Sequence, residues 1–234
     1  MEKGFFVTGT DTGVGKTIIA AALISILRRL SLKVCGMKPI ETGCIRDKNT
    51  LVPSDGTFLR TFADMSEDIE FVTPCCFENP LAPFAASQIE GRQVDFEKIW
   101  QAYTSLKTNC DVVVIEGIGG LLVPITNDYY VLDLAKNFGL PVIITAKPGL
   151  GTLNHTMLTV RYGLKEGLVM AGVIINYSYP PENTPAEDTN ARIIRRICPI
   201  PLIGTFPHLD KIDRGLIEEA ALQQLDIDII KRYL

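Results

Sequence analysis

Histidine occurs only twice in this sequence and tryptophan once. The six cysteines form no C-x-x-C pair, and His155 and His208 lie far apart. That spacing offers no zinc site. No apolar run approaches the roughly 18 residues that a membrane-spanning helix requires. The apolar runs at residues 112–115 and 173–175 have strand length. A basic excess is also missing: 23 Lys and Arg stand against 27 Asp and Glu, a net charge of −4. This argues against a sequence-independent nucleic-acid binder, although a small basic pocket remains open. The opening MEKGFFVTGT has no cationic lead into a long apolar stretch, so no secretory leader is expected. Scattered cysteines without a leader fit reduced thiols in a cytoplasm, most of them small core hydrophobes.

What is present is an alternation. Of the 234 residues, 47% are hydrophobic, enough for a sizeable core. Residues 4–10, 33–40, 111–117, 141–147, 170–176 and 201–206 read as strands. Most are nearly continuous in Val, Ile and other apolar residues, as strands covered on both faces must be. Between them, residues 16–30, 95–107, 131–137, 152–164, 186–197 and 216–225 carry helical patterns, and 226–234 reads as a short helical tail. Residues 77–83 and 177–185, rich in proline, read as loops. The expectation is an α/β fold: one domain over residues 1–234, with a mainly parallel sheet and helices on both faces. Ligands of such sheets bind beyond the carboxyl ends of the strands.

The first strand runs into Asp11-Thr12-Gly13-Val14-Gly15-Lys16-Thr17 and then an apolar helix. A Gly-Lys-Thr ending in that context is the informative half of a P-loop. Gly13 and Gly15 let backbone N–H groups approach phosphate oxygens, and the helix N-terminus adds positive charge. Lys16 suits the β- and γ-phosphates, and the Thr17 hydroxyl suits Mg²⁺. The first glycine is displaced, because Thr10 stands at its usual place and Gly9 precedes it. The plain alternative is a glycine-rich turn that only joins strand to helix.

Magnesium needs carboxylate oxygens as well. Four apolar residues after Asp111 end in Glu116, followed by Gly117, Gly119 and Gly120, which keep space open beside the acid. An acid at the carboxyl end of a buried strand is placed for a metal, with a turn cap as the alternative. Asp111, at the opposite end, is given no role. From spacing alone, Asp55 reads as part of the N-cap of a helix around residues 57–62. Lys38 lies inside an otherwise apolar strand, which is costly unless it meets an anion or its ammonium reaches solvent. Beside the P-loop it would face a transferring phosphoryl group.

With these residues the chain resembles the dethiobiotin synthetase family. The resemblance rests on residues 9–17, Lys38-Pro39, Asp55, Glu116-Gly-Ile-Gly-Gly120, Gly151-Thr-Leu-Asn154-His155 and Asn176. It implies a P-loop NTPase architecture. The implied reaction is ATP-dependent closure of a cyclic urea from 7,8-diaminononanoate and CO₂, through a carbamate and a carbamic-phosphoric mixed anhydride. By that resemblance Thr17, Asp55 and Glu116 hold Mg²⁺, and Lys16 and Lys38 are catalytic, steadying the carbamate and γ-phosphate. Residues Gly13, Val14, Gly15, Lys16, Thr17 and Ile18 wrap the phosphates, with Gly117, Ile118 and Gly119 beside them. Asn176 and Tyr177 face adenine, with Thr205, Phe206 and Pro207 forming the adenine-side loop. Thr12 and Thr42 contact substrate or phosphate. Gly151, Thr152, Leu153 and Asn154 receive the substrate carboxylate across a homodimer interface, which suits a helix N-terminus. The chain departs from some relatives in having Gly13 for an acid, Thr42 for serine and His208 for tryptophan.

Two other readings remain open at this point. A partitioning or membrane-cycling ATPase shares the P-loop, but it carries a signature lysine where this chain has Gly9-Thr10-Asp11. Its basic amphipathic tail also has no counterpart in the balanced charges after Leu225. An ATP-dependent amidase needs a further glutaminase domain, for which this length leaves no room.

Overall fold

The apolar runs become six parallel strands of one sheet, described over residues 3–234 by a computed structural model. These are β1 (Gly4–Gly9), β2 (Val34–Met37), β7 (Val112–Gly120), β8 (Val142–Ala146), β9 (Met170–Asn176) and β10 (Leu202–Phe206). The strand order is β10-β9-β8-β1-β7-β2, so β1 lies between β7 and β8. Two small sheets stand apart: β3 (Ile40–Thr42) pairs in parallel with β6 (Cys75–Phe77), and β4 (Ile45–Asp47) forms a hairpin with β5 (Thr50–Val52).

Alternate strand residues feed two separate cores. Phe5, Val7, Val112, Val114 and Ile143 pack with α1 (Lys16–Arg29), α2 (Ser54–Phe62), α9 (Arg214–Gln224) and α10 (Ile227–Lys231). Phe6, Val113, Ile115, Val142 and Ile144 face the other way. There they meet α5 (Phe96–Asn109), α6 (Val131–Phe138), α7 (Thr152–Lys165) and α8 (Pro185–Ile197). Both faces are dry, which is why these strands read as continuous apolar runs and not as alternating ones. The short helices α3 (Ile69–Val72) and α4 (Pro83–Glu90) complete the chain.

The element boundaries expected from sequence differ in informative places. Residues 33–40 do not form one strand: β2 ends at Met37, the Lys38 N–H donates to Val72 O, and β3 starts a new sheet at Ile40. Pro39 has no N–H to continue the ladder, so the chain leaves the sheet there. The proposed loop 77–83 is narrower than expected, because Phe77 ends β6 and Pro83 opens α4 at a position where proline is welcome. The reading of Asp55 as a cap fails: the N-cap of α2 is Pro53, which makes no side-chain cap.

Candidate functional site

At the carboxyl end of β1, residues 10–15 curl around the start of α1. Gly15 has φ 83°, and a Cβ there would run into the Asn176 amide; only glycine suits both constraints. Asn176, buried at the end of β9, donates Nδ2 to the Val14 carbonyl at 2.8 Å. The Ser178 hydroxyl donates to the Gly13 carbonyl at 3.1 Å. The loop is therefore pinned from the β9 side. Helix α1 carries no side-chain cap, so its positive end is available to an anion.

Beneath the loop lie the charges. Lys16 is buried, with its ammonium 3.4 Å from the Asp11 carbonyl. Burial, and then the nearby Lys38, hold its pKa down to about 8. Lys38 is also buried, so its ammonium does not reach solvent. It donates to Glu116 Oε1 at 2.6 Å and to the Gly117 carbonyl at 3.1 Å, and lies 3.2 Å from Asp55 Oδ2. Burial opposes its charge, but Glu116 and Asp55 outweigh that, and its pKa is raised. The Thr17 hydroxyl donates to the same Glu116 oxygen at 3.0 Å. The exit of the chain from the sheet at Pro39 is what turns Lys38 to this end.

Sequence reasoning missed Glu41 as a member of the site. It is buried at the middle of β3, and its two oxygens accept the Asp55 and Gly56 N–H groups, each at 2.9 Å. It thus supplies the cap that Pro53 lacks. An acid two positions after Pro39, next to the apolar Ile40, was the available signal. These side chains line a cleft of about 270 Å³, with Thr12, Thr42, Ile118 and Gly119 also on its wall.

The cleft wall holds three carboxylates, from Glu41, Asp55 and Glu116, against the two ammonium groups of Lys16 and Lys38. A further cation would balance it. Glu116 Oε2 is buried with no hydrogen-bond partner, an expensive state for a carboxylate oxygen unless a ligand meets it. With the half-exposed Asp55 and the Thr17 hydroxyl, it forms a hard oxygen set of the kind Mg²⁺ takes. Among the described residues no group of three His, Cys, Asp or Glu is arranged to hold a metal, so phosphate oxygens would have to complete such a shell.

Comparison with known proteins decides the lineage. Residues 3–215 match the family described as "AAA domain". The ATP-dependent dethiobiotin synthetase of Thermodesulfovibrio yellowstonii is 41% identical, over 98% of this chain and 99% of that protein. That of Anaeromyxobacter dehalogenans is 42% identical over 92% and 95%, and that of Bacillus subtilis 36% over 97% of each. The chain belongs to the dethiobiotin synthetase family. Its fold also resembles solved structures of the cell division ATPase MinD of Pyrococcus furiosus (TM-score 0.52, 16% identity, all of both chains). A plasmid partition protein of Borrelia burgdorferi bound to AMPPNP gives TM-score 0.58 at 14% identity over 98% of both chains. At these identities the likeness is one of fold, the parallel P-loop architecture.

The remaining residues named by resemblance to the family fall into three groups. Ile18 is half-buried in the first turn of α1, against the core. Tyr177, Thr205, Phe206 and Pro207 gather where β9 and β10 end, with the Tyr177 N–H donating to Phe206 O at 3.0 Å. The Phe206 ring is sealed in the core, which leaves only its backbone for a ligand. Gly151, Thr152, Leu153 and Asn154 begin α7 and stand outside the cleft; Gly151 is the N-cap, and no side chain caps the helix. Asn154 is exposed and does not cap it either. Asp111 lies at the far end of the sheet, where Oδ2 accepts the Lys33 N–H at 2.8 Å.

Proposed function

We propose that this chain is an ATP- and Mg²⁺-dependent C–N ligase, dethiobiotin synthase, acting in biotin biosynthesis with residues 1–234 as a single catalytic unit. One amine of 7,8-diaminononanoate attacks the carbon of CO₂ and loses a proton, giving a carbamate. A carbamate oxygen then takes the γ-phosphoryl group of ATP, and ADP leaves. The second amine attacks the carbonyl of this mixed anhydride, phosphate departs, and the ring closes with loss of a proton. The observation that carries this reading is the convergence of Lys16, Lys38 and Glu116 under a pinned P-loop in a member of this family.

Each residue has a physical task. The backbone from Gly13 to Ile18 cradles the phosphates, and Lys16 and Lys38 offset the charge on the phosphoryl oxygens and the carbamate. Thr17, Asp55 and Glu116 would hold Mg²⁺, which when bound neutralises phosphate charge. Thr12 and Thr42 offer hydroxyls to the amines or the carbamate. An apolar trough of about 480 Å³ begins at Thr12 and runs past Leu121, Val123, Leu158 and Tyr162, a fit for an aliphatic chain. Asn176 and Tyr177, with residues 205–207, would flank adenine.

A homodimer belongs to the same reading. Leu150 is 97% exposed, and Leu122 and Leu158 are exposed nearby, beside the uncapped start of α7. A second copy over this face would cover them and bring Gly151 to Asn154 to the neighbouring substrate carboxylate. A cytoplasmic setting agrees with six free thiols. Among the described residues no helix is long and apolar enough to cross a membrane.

The test is incubation with diaminononanoate, bicarbonate, Mg²⁺ and ATP, followed by mass spectrometry of the product. The cyclic urea is expected, with ADP formed in step. Phosphate release independent of the diamine would replace this reading with a switch-type ATPase.

A further inference from the structure

The acid that grips the start of α2 sits on the cleft wall beside Asp55, with both of its oxygens turned to the backbone of that helix. Both Glu41 oxygens are committed: Oε1 accepts from the Asp55 N–H and Oε2 from the Gly56 N–H, each at 2.9 Å. The side chain is 4% exposed. Bonds from an ionised acceptor to N–H groups at a helix start are charge-assisted and gain from the helix dipole. Burial raises the Glu41 pKa, and the Gly56 and Asp55 N–H groups pull it back. The packing around the contact is close. A Cβ on Gly56 would strike Thr73 Oγ1, so the bare glycine is what lets α2 start this close to Thr73.

The geometry points to Glu41 as the positioning residue for Asp55. Residues 42–54 separate the two, including the exposed hairpin β4–β5, so the local backbone alone does not fix where α2 begins. Pro53, the N-cap, has no side chain able to hold the first turn. The grip from β3 holds the Asp55 backbone, and its carboxylate then lies 3.2 Å from Lys38 and shares that ammonium with Glu116. Without it, a half-exposed aspartate on the first turn of a nine-residue helix keeps only the Lys38 ammonium to aim its carboxylate. Groups that orient a metal-binding side chain from behind set the metal affinity even though they never touch the ion. Glu41 accordingly tunes the Mg²⁺ requirement of nucleotide binding far more than it affects metal-free binding.

This inference rests on the proposed placement of Mg²⁺ at Thr17, Asp55 and Glu116, and its test does not depend on product formation. AMPPNP binding is measured by calorimetry over a Mg²⁺ titration for the full chain, for Glu41→Gln and for Glu41→Asp. In Glu41→Gln the Mg²⁺ concentration giving half of the metal-dependent gain in affinity is expected to rise about tenfold. Metal-free AMPPNP affinity changes by much less than this, and excess Mg²⁺ restores the turnover rate. Glu41→Asp, which keeps the charge on a shorter arm, falls between the two. It also supplies the measurement should the glutamine variant prove too unstable to purify. An unchanged Mg²⁺ requirement overturns the inference. So does equal loss of metal-free and metal-dependent binding, the mark of a merely damaged fold. Failure of the wild-type chain to make the cyclic urea would instead refute the proposed reaction, while the Mg²⁺ shift would still report on Glu41.

Discussion

Lys38 Nζ lies 2.6 Å from Glu116 Oε1, and both side chains are almost wholly withdrawn from water. With Asp55 at 3.2 Å, the same ammonium balances two acids. The lysine assigned to the phosphoryl group therefore also holds the site together before any ligand arrives.

Lys38→Ala is accordingly expected to fail twice. Turnover should be abolished, and removing one partner of a buried pair should cost about 3–5 kcal/mol of folding stability. The double variant Lys38→Met with Glu116→Gln should recover much of that stability, because neither member of the pair is then left as an unpartnered buried charge, yet show no turnover. Urea denaturation alongside the product assay separates the two effects. Near-normal turnover in Lys38→Ala would remove this lysine from the chemistry.

Lys16 gives the site a pH dependence. Its pKa is about 8 in the folded chain against an ordinary 10.5. Between those values the unfolded chain holds a proton that the folded chain has released, so this group makes stability rise with pH across that window. Nucleotide binding should respond in the opposite sense, since the triphosphate needs the ammonium. Affinity for ATP should weaken above about pH 8, with proton uptake on binding. Calorimetry near pH 8.5 in buffers of different ionisation enthalpy reads the uptake directly. Lys16→Met should abolish it.

The β9 pin on the P-loop can be tested at two positions. Gly15→Ala puts a Cβ at φ 83° and into the Asn176 amide; nucleotide binding should be lost. Asn176→Ala removes the 2.8 Å bond to the Val14 carbonyl and should raise the KM for ATP by about tenfold. An unchanged KM would show that the loop holds its shape without help.

Asn190 is a quieter case. Buried in α8, it donates Nδ2 to the Pro148 and Gly149 carbonyls at 2.8 and 3.0 Å, and so fixes the approach to α7. If the start of α7 receives the substrate carboxylate, Asn190→Ala should raise the KM for the diamine while leaving the KM for ATP alone. Initial rates with each substrate varied in turn decide the matter.

Asp111→Asn is the control. The Asp111 carboxylate serves the Lys33 N–H at the far end of the sheet, and an amide oxygen can take over that bond. Turnover should stay near the wild-type rate.

The sheet and the P-loop were legible in the chain because their signals are local: continuous Val and Ile runs, a Gly-Lys-Thr after a strand, an acid closing another. Lys38 could be picked out because a lysine in an apolar run is anomalous. The hairpin at residues 45–52 gave no such signal, because its six strand residues are exposed or nearly so and bury no face that would impose a pattern. From spacing alone Asp55 reads as a cap because aspartate commonly caps helices, whereas the capping acid is Glu41, fourteen positions earlier. A contact across an intervening hairpin leaves no periodic trace. The same holds for Asn190, whose partners lie about forty positions away.

The placement of β1 between β7 and β8 has a consequence for synthesis on the ribosome. The phosphate loop emerges before either neighbour of its strand, which has no hydrogen-bonded partner until Val112–Gly120 and Val142–Ala146 have followed. The amide that pins it arrives later still, at Asn176. Nascent chains halted before Val142 should carry the whole Gly-Lys-Thr signature and retain no nucleotide, whereas chains released just beyond Asn176 should begin to do so.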